Sequence, residues 1–167
     1  MWLVFITPFV SSKCCKKLNV ICYLTSLKKQ VPSSNVIVMD SNNANSAFTY
    51  NCPVDGQITI FRKEEIFKVF IHESFHVFGL DWKNGDILKG KINKLFPISS
   101  KMDINESYCE FWACFMNSIF TAFNLPGGEK FDAFLMYSEY CLLFENMFSL
   151  IQVVKILRFM DLTYTNL

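Results

Sequence analysis

The chain's only two histidines stand four residues apart with a glutamate beside the first, in His72-Glu73-Ser74-Phe75-His76. On an α-helix that spacing puts both imidazoles on one face about one turn apart, so two ring nitrogens can converge on a single metal ion. A catalytic zinc takes three protein ligands and keeps a fourth position for water, whose pKa it lowers from about 15.7 toward about 7. Such a water can attack a carbonyl at neutral pH. Glu73, adjacent to the first ligand, is placed to accept the proton from that water and pass it to a leaving amine, as base and not as ligand. The competing reading is a pair of core histidines satisfied by backbone or carboxylate partners. The surroundings weigh against it: Ile66, Phe67, Val69, Phe70, Ile71, Phe75, Val77 and Phe78 predict a helix buried on most sides. A His-Glu-His stripe there is costly unless something compensates it, and a metal would.

For the remaining ligand the sequence, which has no third histidine, offers three carboxylates. Gly79 and Asp81 after the motif resemble the start of the metzincin pattern, but the residue three after the glycine is Trp82, and Asp81 falls one short. Met136-Tyr137, a Met-turn by sequence, sits in a run that reads as helix. Asp81 is better placed to accept a ring N–H from His72 or His76, or to end the helix. Asp103 and Glu106 have the spacing of a capping box, which gives Glu106 a structural role at the helix start. Glu110, one turn further on, is then the favoured ligand, with Glu106 as the alternative or as a contact to a substrate amine.

The segment Glu110-Phe111-Trp112-Ala113 resembles the third-ligand helix of gluzincins, where a small residue follows one turn after the ligand glutamate. Ala113 and Cys114 would let that helix lie close to the histidine helix. The chain as a whole resembles a gluzincin-type zincin. It is also similar to metallopeptidases of nucleocytoplasmic large DNA viruses in Phe61-Arg62-Lys63-Glu64-Glu65, Ile71-His72-Glu73 and the stretch Glu106 to Ala113. The resemblance implies a Zn2+ site of His72, His76 and Glu110, with Glu73 as general base in peptide-bond hydrolysis and a peptide or protein substrate. It departs from the family at Cys114, where a second acid is common, and in lacking a histidine for the oxyanion, which leaves Tyr137, Tyr140 or Tyr50 for that role. A zincin-derived structural or interaction protein, virion-associated and inactive, is the second reading.

These residues need positioning by a small domain, and 167 residues supply one with a good-sized core. Eighteen phenylalanines and 51% hydrophobic residues imply a dense core or a large apolar interface. A net charge of +1 gives no electrostatic case for nucleic acid. Seven cysteines without C-x-x-C spacing suggest reduced thiols and a cytoplasmic setting, host cytoplasm or virion for a viral protein. Trp2 to Val10 lacks a signal peptide's positive start and holds Pro8. Glu145, Gln152 and Lys155 interrupt the longest apolar tail, so no integral membrane span is expected.

The expected fold class is α+β, a single zincin-like domain with a small mixed sheet followed by a mainly helical half. Ser11 to Lys29 reads as a helix with lysines on its solvated face, and Asn35 to Asp40 as a strand. Ala47 to Tyr50 reads as a short strand and Gly56 to Phe61 as a half-buried one, whose edge could hold substrate by backbone hydrogen bonds. The histidine helix should run from Lys63 to Gly79, with Glu64 and Glu65 in its first turn. A turn at Asn84-Gly85-Asp86, a helix from Ile87 to Phe96 stopped by Pro97, and a helix from Ile104 to Asn124 follow. From Lys130 to Met160 the pattern is helical with a break, and apolar periodicity continuing toward Leu167 is what a truncated longer domain would show.

Overall fold

A computed structural model describes residues 1–37, 41–82, 85–96 and 103–166. It is an α+β fold whose strands lie in the first half of the chain and whose long helices fill the second. The elements are α1 (Trp2–Ile6), β1 (Lys17–Thr25), α2 (Ser41–Ala44), β2 (Ala47–Thr49), β3 (Asp55–Arg62), α3 (Ile66–Val77), α4 (Gly85–Leu95), α5 (Ile104–Asn124) and α6 (Phe131–Phe159). Two compact units result, one of residues 1–31, 39–85 and 103–113, the other of residues 32–38, 86–102 and 114–167.

In the first unit the sheet order is β1-β3-β2, with β1 parallel and β2 antiparallel to β3. β3 is central and its alternation is that of a strand with one buried face: Gly56, Ile58, Ile60 and Arg62 point inward. The core under it is Ile58, Ile60, Ile71 and Val77, each at most 1% exposed, joined by Trp2 and Phe75, whose rings stack at 6.0 Å. Trp2 Nε1 donates to Ser74 Oγ at 2.8 Å, and Ser74 Oγ donates to Ile71 O at 2.6 Å, so the polar atoms of these two buried side chains are bonded.

Several expectations need correction. The stretch from Ser11 to Lys29 is not a helix: Val20, Ile21, Tyr23 and Thr25 favour an extended chain, and Lys17 to Cys22 pair in register with Asp55 to Ile60. Asn35 to Ile37 form a turn and bend, not a strand, and residues 38–40 lie outside the described residues. Glu64 and Glu65 precede α3, with Glu65 at φ 59 as its N-cap. Asn84 and Pro97 lie outside the described residues, and Gly85 begins α4. α6 runs unbroken for 29 residues. Cys14 and Cys52 form a disulfide, so the thiols are not all reduced; the fold brings together two cysteines 38 positions apart that no spacing pattern links.

In the second unit α6 carries large apolar side chains exposed around its circumference, among them Phe144, Met147, Phe148, Leu150 and Ile151. By length and composition it could cross a membrane: an 18-residue window has mean hydropathy 1.4, with none of it buried, despite Glu145, Gln152 and Lys155.

Candidate metal centre

α3 carries His72, Glu73 and His76. Its C-terminal end is a Schellman motif: Gly79, at φ 65, donates to His76 O, and Leu80 N donates to Phe75 O at 2.8 Å. That turn brings Asp81 back along the helix end, where its Oδ1 accepts from His76 Nδ1 at 2.7 Å. Asp81 Oδ2 also accepts from Asn51 Nδ2 at 2.9 Å. The disulfide sits against the same turn, since a Cβ on Gly79 would lie 2.8 Å from Cys14 Sγ and Cys52 N donates to His76 O at 3.0 Å.

α5 brings the carboxylates. Asp103 caps it, accepting from Asn105 N at 3.0 Å, as the spacing predicts. Glu106 does not close the capping box. Its carboxylate turns to the histidines, with Oε2 3.2 Å from His72 Nε2 and Oε1 3.4 Å from His76 Nε2. Two imidazoles are stronger partners for a carboxylate than one backbone amide. Glu110, one turn later, lies on the other side of the first ring: its Oε2 accepts from His72 Nδ1 at 3.1 Å and its Oε1 accepts from Lys68 Nζ at 2.7 Å.

The two rings are therefore held alike. Each directs Nδ1 at a fixed carboxylate, Glu110 for His72 and Asp81 for His76, and Nε2 at Glu106. The two Nε2 atoms are 3.2 Å apart. Ligands about 2.0 to 2.1 Å from a tetrahedral zinc stand about 3.3 to 3.4 Å from one another. Glu106 meets the two rings with different oxygens, and each of these separations, 3.2 Å from Oε2 to His72 Nε2 and 3.4 Å from Oε1 to His76 Nε2, is, like the 3.2 Å between the Nε2 atoms, close to the spacing of neighbouring ligands on such a zinc. The residues present thus fit a metal, with His72, His76 and Glu106 as the group that could hold it.

The electrostatics agree with a site built for positive charge. Burial opposes protonation of both rings, yet the carboxylates outweigh it: Glu106 and Glu110 push His72 up to about 9, and Asp81, Cys109 and Glu106 push His76 up to about 12. Hydrogen bonds to the two histidines hold the Glu106 carboxyl far below the usual range. Glu110 falls to about 2, where burial is overcome by His72 and Lys68. Glu73, 8% exposed, is shifted the other way, because burial raises it more than the histidines lower it. Glu106 and Glu110 are thus kept ionised while Glu73 is made more basic.

The site opens on a cavity of about 660 Å³ lined by His72, Glu73, His76, Glu106 and, along one wall, Ala44 to Thr49. This wall includes β2, which lies at the edge of the sheet next to β3. Gln57 to Phe61, expected as the substrate-holding edge, belongs to the central strand, whose backbone is occupied on both sides. Tyr50, Tyr137 and Tyr140 are absent from the lining; the Tyr137 hydroxyl donates to Pro126 O at 3.1 Å. Sequence reasoning overlooked Lys68, whose signal was its place one turn before His72 on the same helix face. No protein-family model, curated protein or solved structure matches this chain.

Proposed function

We propose that the chain is a zinc-dependent peptidase of zincin type, with His72, His76 and Glu106 as ligands and Glu73 as general base. The observation that carries this is the convergence of the two Nε2 atoms and the Glu106 carboxylate at about the spacing of neighbouring metal ligands. Zinc bound there supplies a Lewis acid for a substrate carbonyl and makes water a nucleophile at neutral pH. The protein's own residues do the rest. Glu110 and Asp81 each accept a hydrogen bond from an Nδ1–H, which fixes the tautomer so that both Nε2 lone pairs face the ligand position. Glu73 borders the same cavity, and its raised basicity suits it to take a proton from water and deliver it to the departing amine. The outer edge of β2, which pairs with no further strand among the described residues, gives an extended peptide a backbone to pair with.

The second reading, an inactive zincin-derived structural or interaction protein, is favoured by one observation: among the described residues no tyrosine lines the cavity to stabilise an oxyanion. Activity on a peptide library separates the two. The peptidase reading expects cleavage by the zinc-loaded parent and a loss of at least about 100-fold in Glu73→Gln with zinc retained, the scale of general-base catalysis. Undiminished cleavage by that variant sinks the base assignment, and a parent that binds zinc but cleaves nothing favours the second reading.

A further inference from the structure

Lys68 is a cation only 9% exposed on a wall of the cavity, and the peptidase reading gives it no task. Its Nζ donates to Glu110 Oε1 at 2.7 Å and lies 3.5 Å from Glu65 Oε2. Glu65 is in turn held by Lys29 Nζ at 3.1 Å. Glu110 thus uses its two oxygens for two residues of α3 one turn apart: Oε1 for Lys68 and Oε2 for His72 Nδ1. A glutamate with three rotatable bonds has other places to go, and the ligand face of His72 is within one ring's width. A carboxylate held at both oxygens does not swing there.

Resting on the metal site proposed above, we infer that Lys68 is a positioning residue. It pins Glu110 on the Nδ1 side of His72, so that Glu110 orients the imidazole and Glu106 alone supplies the carboxylate ligand. Lys68 itself is on the wrong side of the ring to touch a reacting carbonyl, since the atom it holds faces Nδ1 and the ligand position faces Nε2. Neutralising Lys68 removes the partner that fixes one oxygen of Glu110, and the His72 ring loses a defined acceptor. Changing Glu65 does not, because its ion pairs are with Lys29 and Lys68 and not with the imidazoles.

The test is zinc affinity of the full chain, measured by competition with a chromophoric chelator, for the parent, Lys68→Met, Lys68→Arg, Glu65→Gln, Glu110→Gln and Lys68→Met/Glu110→Gln. Loss of an outer partner of a metal-bound histidine weakens binding by about 10- to 100-fold. Lys68→Met is expected to weaken zinc by about 10-fold and Glu110→Gln by at least as much. The double variant should bind no more weakly than Glu110→Gln alone, because Lys68 acts through Glu110. Lys68→Arg, which keeps the charge, should stay near the parent, as should Glu65→Gln. If Lys68→Met does not fold, Lys68→Gln carries the same expectation.

Parent-like affinity in the neutral variants overturns the inference, as does a double variant whose losses multiply. So does a lower melting temperature of the metal-free protein with zinc affinity unchanged, which is what a merely structural lysine would give. A parent that binds no zinc overturns the metal site and this inference together, whereas tight binding by parent and Lys68→Met alike overturns this inference alone.

Discussion

Glu106 and Glu110 differ by one helical turn, and at the residue scale that turn separates a carboxylate that meets both Nε2 atoms from one that meets only His72 Nδ1 among the ring nitrogens. Sequence pattern favours Glu110, because Asp103 and Glu106 have the spacing of a capping box. The same spacing serves a cap whose glutamate is free to turn elsewhere, and here Asp103 caps alone. Which of the two carboxylates reaches the Nε2 atoms was illegible because it depends on how the start of α5 packs on α3. The charged cluster has a pH consequence. In the metal-free protein His72 and His76 titrate near 9 and 12, above their ordinary 6.5, so the stability they contribute is full below about 6.5 and is lost as pH rises through 9 and then 12. Glu110, lowered to about 2 from 4.5, contributes above 4.5 and loses its share as pH falls toward 2. A metal must displace the protons on both Nε2 atoms, so its affinity should climb with pH from 6 to 9 and its binding at pH 7 should release about two protons. Calorimetry in buffers of different ionisation enthalpy checks this; an affinity flat across that range would contradict it.

At the scale of elements, the end of α3 matters most, because everything that holds His76 converges there. Gly79 turns the chain, Asp81 returns to Nδ1, and the Cys14–Cys52 disulfide closes against the turn. Gly79→Ala combines a left-handed backbone, worth about 1 to 2 kcal/mol against a residue with a Cβ, with a contact 2.8 Å from Cys14 Sγ. It should lower the denaturation midpoint by more than that backbone cost alone. Removing the disulfide with Cys52→Ser should cost about 3 to 4 kcal/mol in urea unfolding, from the loop it closes. A change below about 1 kcal/mol in that variant would show that the cross-link contributes little. Helices α3 and α5 were legible because apolar periodicity, Asp103 and Pro126-Gly127-Gly128 mark them. β1 was misread because the lysine clusters at its flanks imitate a helix's solvated face, and its partner β3 is about 40 residues away in the chain. Edge and centre of the sheet were inverted for a related reason: strand order is a long-range property that alternation within one strand does not encode.

For the whole molecule, the α+β class follows from the order of the segments, strands early and helices late, which needs no knowledge of contacts. The division into two units and the exposure of α6 do not follow from it. The phenylalanine-rich composition has a dual outcome: Phe75 joins the core, while Phe131, Phe144 and Phe148 remain on the surface of α6. The centre itself is assembled from residues 72 to 110, which is why so much of it could be read from sequence. The most direct test is zinc content after metal stripping and reconstitution at one low free-zinc concentration, for the parent, His76→Ala, Glu106→Gln and Glu110→Gln. The account predicts about one zinc per chain in the parent, almost none in His76→Ala and Glu106→Gln, and an intermediate content in Glu110→Gln, as expected for three ligands and one outer partner. A parent without zinc, or a Glu106→Gln protein that keeps its metal while Glu110→Gln loses it, would contradict the account.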